Sequence, residues 1–273
     1  MQELVIQAER SERQYWRDVW AYRELLYFLA WRDILVRYKQ TVIGIAWAVV
    51  RPLTTMVVFT IIFGKLAKLP SAGSAPYAIM VFAALLPWQF FSNALTECSK
   101  SLVGNANLVA KIYFPRLIMP ASSVVTSCVD LLIGGLIMAG LMAWYGYVPG
   151  CRVLALALFV AAAFAAAAGP GLWIAALAVK YRDFQIVVPF VVQFGTYISP
   201  VGFNSQVIPH KWRLLYSLNP MVGVIDGFRW SLLPGDVPLY WPGLIASVLV
   251  SIALCWSGIW YFRKVEDYFA DVI

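Results

Sequence analysis

The chain has 273 residues, of which 62% are hydrophobic and only 13% are charged, and its mean hydropathy is +0.74. Soluble domains carry about 25% charged residues, so this composition excludes an ordinary water-soluble fold and indicates an all-α polytopic membrane protein. The apolar runs are continuous, whereas a transmembrane β-barrel would show short alternating segments. The net charge of +7 does not indicate a nucleic-acid partner, because the basic residues lie where a bilayer would sort them.

Residues 1–41 are predicted to form a cytoplasmic tail that ends in an interfacial helix. The charged residues before Leu25 leave no room for the apolar run of a cleavable signal peptide. In a helix, aromatic and aliphatic side chains from Trp31 onward fall on one face, and Arg32, Arg37 and Lys39 fall on the other. A basic face opposite an apolar face is typical of a helix that lies among lipid headgroups.

Residues 42–262 contain six apolar runs of about the length that a bilayer requires, roughly 20 residues each. The predicted spans are 42–63, 77–102, 116–145, 153–179, 184–198 and 241–262, and residues 263–273 form a second tail. The predicted inner segments hold fourteen Lys and Arg residues, against six in the outer segments. This bias predicts that both tails are cytoplasmic and that residues 1–273 form one transmembrane domain.

Two connections are too apolar for ordinary loops. Residues 105–115, between the second and third spans, form an amphipathic stretch that either contacts a soluble partner or only turns the chain at the inner face. On the outer side, residues 200–241 are rich in aromatic and aliphatic residues. Pro209 suits a helix start, Asn219-Pro220 a break, and Pro234-Gly235 a stop. The pattern predicts two short helices that dip back into the membrane.

Arg51, Asp130 and Glu97 lie within or near the hydrocarbon in the predicted spans. Arg51 and Asp130 would each face unfavourable surroundings in hydrocarbon, so we expect them to face a partner or water. Their comparable predicted depths favour an ion pair between them. The alternative is that both residues line the path of a pyrophosphate group.

The chain shows no sign of catalysis. It lacks the G-x-x-x-x-G-K-[ST] motif of a nucleotide site, and it has no D-x-D or histidine-acid pair of a membrane transferase. The four cysteines have neither metal-binding nor redox spacing, and the single histidine, His210, cannot build a metal site. We therefore expect no enzyme activity, no metal and no cofactor in this chain, and an energy source in another subunit.

Several segments resemble the permease subunits of bacterial polysaccharide exporters of the ABC-2 type, which serve O-antigen, capsule and teichoic acid export. The resemblance is carried by RDILVRYKQTVIGIAWAVVRPL (32–53), LLPWQFFSNAL (85–95), LVGNANLVAKIYFPRLIMP (102–120), KYRDFQIVVPF (180–190), SPVGF (199–203) and LNPMVGVIDGFRWSLL (218–233). These blocks span nearly the whole chain in the family's order.

The resemblance implies a homodimer in the inner membrane, docked on two copies of an ATPase subunit that binds ATP and magnesium. It also implies an interfacial helix, a cytoplasmic coupling helix and re-entrant outer gate helices. The implied cargo is a polyprenyl-pyrophosphate-linked polysaccharide similar to O-antigen. Capsule, teichoic acid and a smaller lipid or drug are the alternative cargoes.

The resemblance also suggests roles for individual residues. Candidates for coupling to the ATPase are Asn105, Asn107, Leu108, Lys111, Tyr113 and Phe114. Candidates for the glycan path are Trp47, Phe59, Phe63, Tyr197 and Phe203. Candidates for binding pyrophosphate or headgroups are Arg32, Arg37, Lys39 and Arg182, although the charge bias between the two sides also explains Arg182. Candidates for the outer gate are Pro209, Asn219, Pro220 and Arg229.

Overall fold

The computed structural model describes residues 12–39, 44–233 and 237–269, and the regular structure of these residues is entirely helical. The α-helices are α1 (Glu12–Ala21), α2 (Arg23–Lys39), α3 (Gly44–Phe59), α4 (Tyr77–Ser101), α5 (Ala106–Lys111), α6 (Ile118–Trp144), α7 (Leu156–Lys180), α8 (Phe184–Ile198), α9 (His210–Tyr216), α10 (Pro220–Leu232) and α11 (Trp241–Val265). The start of the predicted N-terminal tail, the predicted stop at Pro234-Gly235 and the last four residues lie outside the described residues.

Five helical segments of the described chain are long and apolar enough to cross a membrane. They are Ala46–Leu66, Tyr77–Ser101, Ile118–Trp144, Cys151–Lys180 and Trp241–Tyr268. The first combines α3 with a π-helical segment, Thr60–Leu66, and the fourth begins with a 3₁₀ turn, Cys151–Ala155. The fifth predicted span corresponds to α8, whose 15 residues reach only about 22 Å at 1.5 Å per residue. It ends early because Ser199-Pro200 interrupts the helix.

Helix α4 is the central element of the larger apolar core. Most of its residues are buried, and it packs against α6, α7, α8 and α10. A helix that is apolar on every side is stable only when neighbours cover it all round. The other spans keep exposed apolar side chains, as expected of helices that border lipid or a second copy.

A second apolar cluster, called the inner cluster after the predicted orientation, packs against α1 and α2. It joins Tyr15 of α1 and Leu29 of α2 to Phe114, Leu172 of α7 and Phe262 of α11. The sequence predicts a polar tail before α2, whereas residues Glu12–Ala21 form the amphipathic helix α1, whose Tyr15 packs in this cluster. Burial raises the pKa of the Tyr15 phenol, and the neighbouring Glu266 carboxylate raises it further. The phenol therefore remains protonated and donates a hydrogen bond of 2.9 Å to Glu266 Oε2.

Helices α7 and α11 approach each other closely through two glycines. A Cβ atom on Gly169 would lie 2.4 Å from the Leu254 carbonyl carbon, and one on Gly258 would lie 2.4 Å from the Gly169 oxygen. Such distances are far shorter than van der Waals contact, so only glycine, which has no Cβ atom, fits at these two positions.

Replacing Gly169 with alanine is expected to destabilise the subunit by about 1–3 kcal/mol, because the added methyl group forces the two helices apart. Thermal unfolding of the protein in detergent or nanodiscs measures the effect. The matched control is Gly140→Ala in α6, where an added Cβ meets no atom within 4 Å. Equal melting temperatures for the two variants would contradict the close packing.

Candidate functional site

A polar cavity of about 440 Å³ lies among α2, α3, α4, α6 and α8. The size falls in the usual range of ligand sites, about 300–1,000 Å³. Its charged and hydrogen-bonding side chains include Arg37, Arg51, Gln89, Glu97, Asp130 and Thr196. A cavity lined by charge between membrane-spanning helices is unfavourable if it is dry, so we infer that it contains water or a polar ligand.

Asp130 is the centre of the hydrogen-bond network in this cavity. Its carboxylate accepts from Arg37 Nη1 at 2.7 Å and from Asn93 Nδ2 at 2.9 Å, and the Tyr38 hydroxyl also donates to it. Arg37 Nη2 lies 3.2 Å from Glu97 Oε1 on the opposite wall. The Asp130 side chain is only 16% exposed, and its three donors compensate for the lost hydration of the charge.

The predicted partner of Asp130 was wrong. In the described chain Asp130 pairs with Arg37, and Arg51 lines the same cavity without an ion pair. The physical reason is the position of α2, which packs along α6. The apolar side chains of Tyr27 and Phe28 on α2 are exposed, whereas Arg37 lines the cavity. The basic face predicted to meet headgroups is therefore partly used inside the protein.

The Tyr38 phenol contributes a donor to the same network. Its burial, followed by its hydrogen bond to Asp130, raises its pKa above the ordinary value. The hydroxyl therefore remains protonated at physiological pH and can only stabilise the ionised carboxylate as a donor.

The candidate coupling segment forms a short helix between α4 and α6. It consists of a 3₁₀ turn, Val103–Asn105, followed by α5. The Asn105 side chain accepts from Arg32 of α2 at 3.0 Å and donates to the Ser101 carbonyl at 2.8 Å. Helix α2 thus contacts the candidate coupling segment near its middle, through Arg32, and the cavity near its C-terminal end, through Arg37.

The other coupling candidates differ in accessibility. Asn107, Lys111 and Tyr113 are exposed and available to a partner, whereas Leu108 is half-buried. Phe114 is only 4% exposed and belongs to the inner apolar cluster, so it anchors the segment and does not offer contact area in this conformation.

The four basic candidates for pyrophosphate or headgroups fall into two pairs. Arg32 binds Asp33 at 2.8 Å, and Arg37 binds Asp130, so both already have acidic partners. Lys39 and Arg182 are exposed at the surface.

Three of the aromatic candidates for the glycan path lie together near the C-terminal end of α3, away from the polar cavity. The Phe59 ring centroid lies 5.4 Å from that of Phe63 and 6.1 Å from that of Tyr197. Trp47 is separate, lines the polar cavity and is 61% exposed. Phe203 contributes a backbone carbonyl, which accepts from Arg229 Nη1 at 2.9 Å.

The predicted helix start at Pro209 and the predicted break at Asn219-Pro220 are confirmed. Pro209 precedes α9, and Asn219 caps α10, with its side chain accepting from the Met221 amide at 3.0 Å. Pro220 occupies the first turn of α10, where its missing N–H costs no hydrogen bond.

Arg229 of α10 is the largest fully buried side chain, with 1% exposure. It donates to the carbonyl oxygens of Phe203 and Val201, the latter at 3.1 Å, and more weakly to that of Met80 at 3.4 Å. Asp226 supplies an opposite charge 3.9 Å away. Arg229 thereby fixes α10 to α4 and to residues 199–204. The sequence identified the residue but gave no indication of this bonding pattern.

Long apolar helices around a polar cavity, with two short helices folded back at one end, define an integral-membrane transport protein. The chain belongs to the ABC-2 type transporter family, which it matches over residues 24–233. The family describes the membrane part of an ABC transporter.

Three curated relatives are similar along most of their length. The O-antigen export system permease protein RfbA of Klebsiella pneumoniae is 24% identical, covering 92% of this chain and 95% of that protein. RfbA of Myxococcus xanthus is 26% identical, covering 94% and 98%. The polysialic acid transport protein KpsM of Escherichia coli is 21% identical, covering 76% and 80%. These names describe transport proteins, and the family together with the five long apolar helices of the described residues identifies this chain as a multi-pass membrane subunit.

Proposed function

We propose that this chain is the transmembrane subunit of an ATP-driven exporter for a polyprenyl-pyrophosphate-linked polysaccharide similar to O-antigen. The carrying observation is the similarity to permeases named for O-antigen export over 92–94% of this chain. The polar cavity between the spans supports a hydrophilic cargo, because an apolar cargo would leave its charges without partners.

Two copies of the chain form the membrane path, and each copy docks on one ATPase subunit. The exposed side chains of Asn107, Lys111 and Tyr113 suit a contact with a soluble partner. The ATPase subunits bind ATP and magnesium, and their closure pushes α5. The inner cluster that holds Phe114 transmits this movement to α7 and α11.

Helix α8 completes a sixth crossing and leaves both termini in the cytoplasm. Helix α8 alone is too short to cross the membrane. Residues 199–209, which follow it and lead to α9, complete the crossing. In this arrangement α9 and α10 lie at the outer face and form the gate. The lysine and arginine bias between the two sides supports the same orientation.

A capsule-type polysaccharide is the second candidate cargo. The observation in its favour is the similarity to KpsM, a protein named for polysialic acid transport. The identity to KpsM is lower and covers less of this chain than the similarity to either RfbA protein.

Deleting the gene in its source organism is expected to remove the polysaccharide from the cell surface and to accumulate lipid-linked glycan inside the cell. Gel electrophoresis of surface and intracellular glycan measures both pools, and the plasmid-borne gene should restore export. Deletion of an early glycan-assembly enzyme is the matched control, because it removes surface glycan without internal accumulation. Unchanged surface polysaccharide in the permease mutant would refute the proposal.

A further inference from the structure

A groove of about 560 Å³ lies between the C-terminal ends of α7 and α11. Lys180, the last residue of α7, and Lys264, in the last turn of α11, both line it. Its apolar wall includes Ala176, Val179 and Phe269, which belong to the inner cluster. Neither α7 nor α11 lines the polar cavity, so the groove is a separate feature of the molecule.

The groove presents two cations without acidic partners. The side chains of Lys180 and Lys264 are exposed, and neither makes an ion pair or hydrogen bond within the described residues. The Lys264 ammonium lies 5.1 Å from the Trp260 ring centroid. The acidic residues that follow, Glu266 and Asp267, do not line the groove. Two uncompensated positive charges beside an apolar wall favour a ligand with an anionic group.

The aromatic side chains of the groove are those expected at the level of lipid headgroups. Trp260 and Tyr268 line it and are 54% and 65% exposed. Such rings are enriched where hydrocarbon meets water. The exposed side chains of Leu249, Ile252 and Trp256 precede Trp260 at spacings of three and four residues. One apolar stripe of α11 therefore leads along the span to the groove.

An anionic phospholipid satisfies both parts of this surface. Its phosphate would compensate Lys180 and Lys264 and accept from the Tyr268 hydroxyl, which makes no hydrogen bond within the described residues. Its acyl chains would cover the apolar stripe. A soluble anion would leave the stripe uncovered, and an uncharged lipid would leave the two ammonium groups unpaired. Basic pockets between membrane-spanning helices are known to bind acidic headgroups in this way.

We propose that the groove between Lys180 and Lys264 binds an anionic glycerophospholipid of the surrounding membrane, with the phosphate between the two ammonium groups. The bound lipid covers the part of the inner cluster that forms the groove wall, and it joins the ends of α7 and α11. The site goes beyond the proposed function and does not depend on the identity of the cargo.

The test uses the full-length chain, stripped of lipid in a mild detergent, and native mass spectrometry, which counts bound lipids and chain copies together. The probes are phosphatidylglycerol, phosphatidylcholine and soluble glycerol phosphate. The variants are Lys180→Gln/Lys264→Gln and the charge-preserving Lys180→Arg/Lys264→Arg. The matched control is Lys65→Gln/Lys100→Gln, which removes two exposed lysines that lie outside the groove.

Wild-type protein is expected to bind phosphatidylglycerol at least about tenfold more tightly than phosphatidylcholine. This affinity should fall at least about tenfold in the glutamine variant, because each basic residue near the headgroups attracts anionic lipid. It should persist in the arginine variant and in the control. Phosphatidylglycerol should also raise the melting temperature of the wild type and leave that of the glutamine variant unchanged.

The alternative is that the two lysines only offset the dipoles of the helices that they end. The glutamine variant would then melt at a lower temperature but bind phosphatidylglycerol as the wild type does, which would overturn the proposal. Displacement of the lipid by glycerol phosphate would overturn it too. Loss of chain dimers in the glutamine variant, with lipid binding unchanged, would assign the groove to a second copy instead. If the glutamine variant does not fold, equal affinity of the wild type for both phospholipids still refutes the site.

Discussion

Replacing Asp130 with alanine is expected to destabilise the subunit by about 1.5–3 kcal/mol, because it removes a largely buried charged acceptor. Tyr38 and Asn93 would lose this acceptor, and Arg37 would keep Glu97 at 3.2 Å as its acidic partner. The loss should separate α2 from α6 and reduce export together with stability.

Thermal unfolding of purified variants and their abundance in the membrane measure this effect. Asp183→Ala is the matched control, since the Asp183 side chain is exposed and makes no capping hydrogen bond at the start of α8. A double-mutant cycle then identifies the partner: Arg37→Ala should be strongly non-additive with Asp130→Ala, and Arg51→Ala should be additive. Additivity for Arg37 with coupling for Arg51 would restore the pair expected from sequence.

Replacing Arg229 with methionine is expected to release the outer segment from the core. The substitution keeps an apolar stem but removes the donors to the carbonyl oxygens of Phe203, Val201 and Met80. Each buried acceptor left without a partner costs about 1–3 kcal/mol, so the loss of the group approaches the stability of a typical domain. Asp226 would also lose its nearby positive charge.

Limited proteolysis from the outer side, combined with thermal unfolding, measures the release. Cleavage within residues 199–209 should accelerate in Arg229→Met and remain at the wild-type rate in Lys211→Met. Lys211 is an exposed basic residue on α9, whose ammonium lies 6.0 Å from the Trp212 ring centroid, so its loss removes little. Unchanged proteolysis and melting in Arg229→Met would show that other contacts hold α10.

The features that sequence predicted well are those that local chemistry determines. Helix α8 begins at Phe184 and ends at Ile198 as predicted, because Asp183 and Ser199-Pro200 limit the apolar run. Helices α9 and α10 follow from proline and asparagine positions that permit only certain backbone conformations. The all-helical fold follows from composition, since a backbone in hydrocarbon must satisfy its own hydrogen bonds.

The features that sequence missed depend on how separate helices pack. Depth along a span suggested Arg51 as the partner of Asp130, but the lateral position of α2 brings Arg37 there instead. Amphipathicity of residues 105–115 did not reveal which apolar side chains are covered, because Phe114 is buried by helices distant in sequence. The same holds for Tyr15, whose partner Glu266 lies 251 positions away.

Helix α2 connects these observations into one physical account. It bonds Asn105 of the coupling segment through Arg32 and Asp130 of the cavity through Arg37, so movement of α5 can reach the cavity wall through a single rigid element. The account requires that the force come from a separate subunit on the cytoplasmic side.

Transport in inverted membrane vesicles tests that requirement most directly. Lipid-linked glycan labelled in its sugars is added on the cytoplasmic side, and a glycan-degrading enzyme later removes whatever has not entered the vesicles. Vesicles with the chain and its ATPase should protect the label only when ATP is hydrolysed, and vesicles with the chain alone should neither protect glycan nor hydrolyse ATP. Protection or ATP hydrolysis by the chain alone, or no protection by the complete complex, would contradict the account.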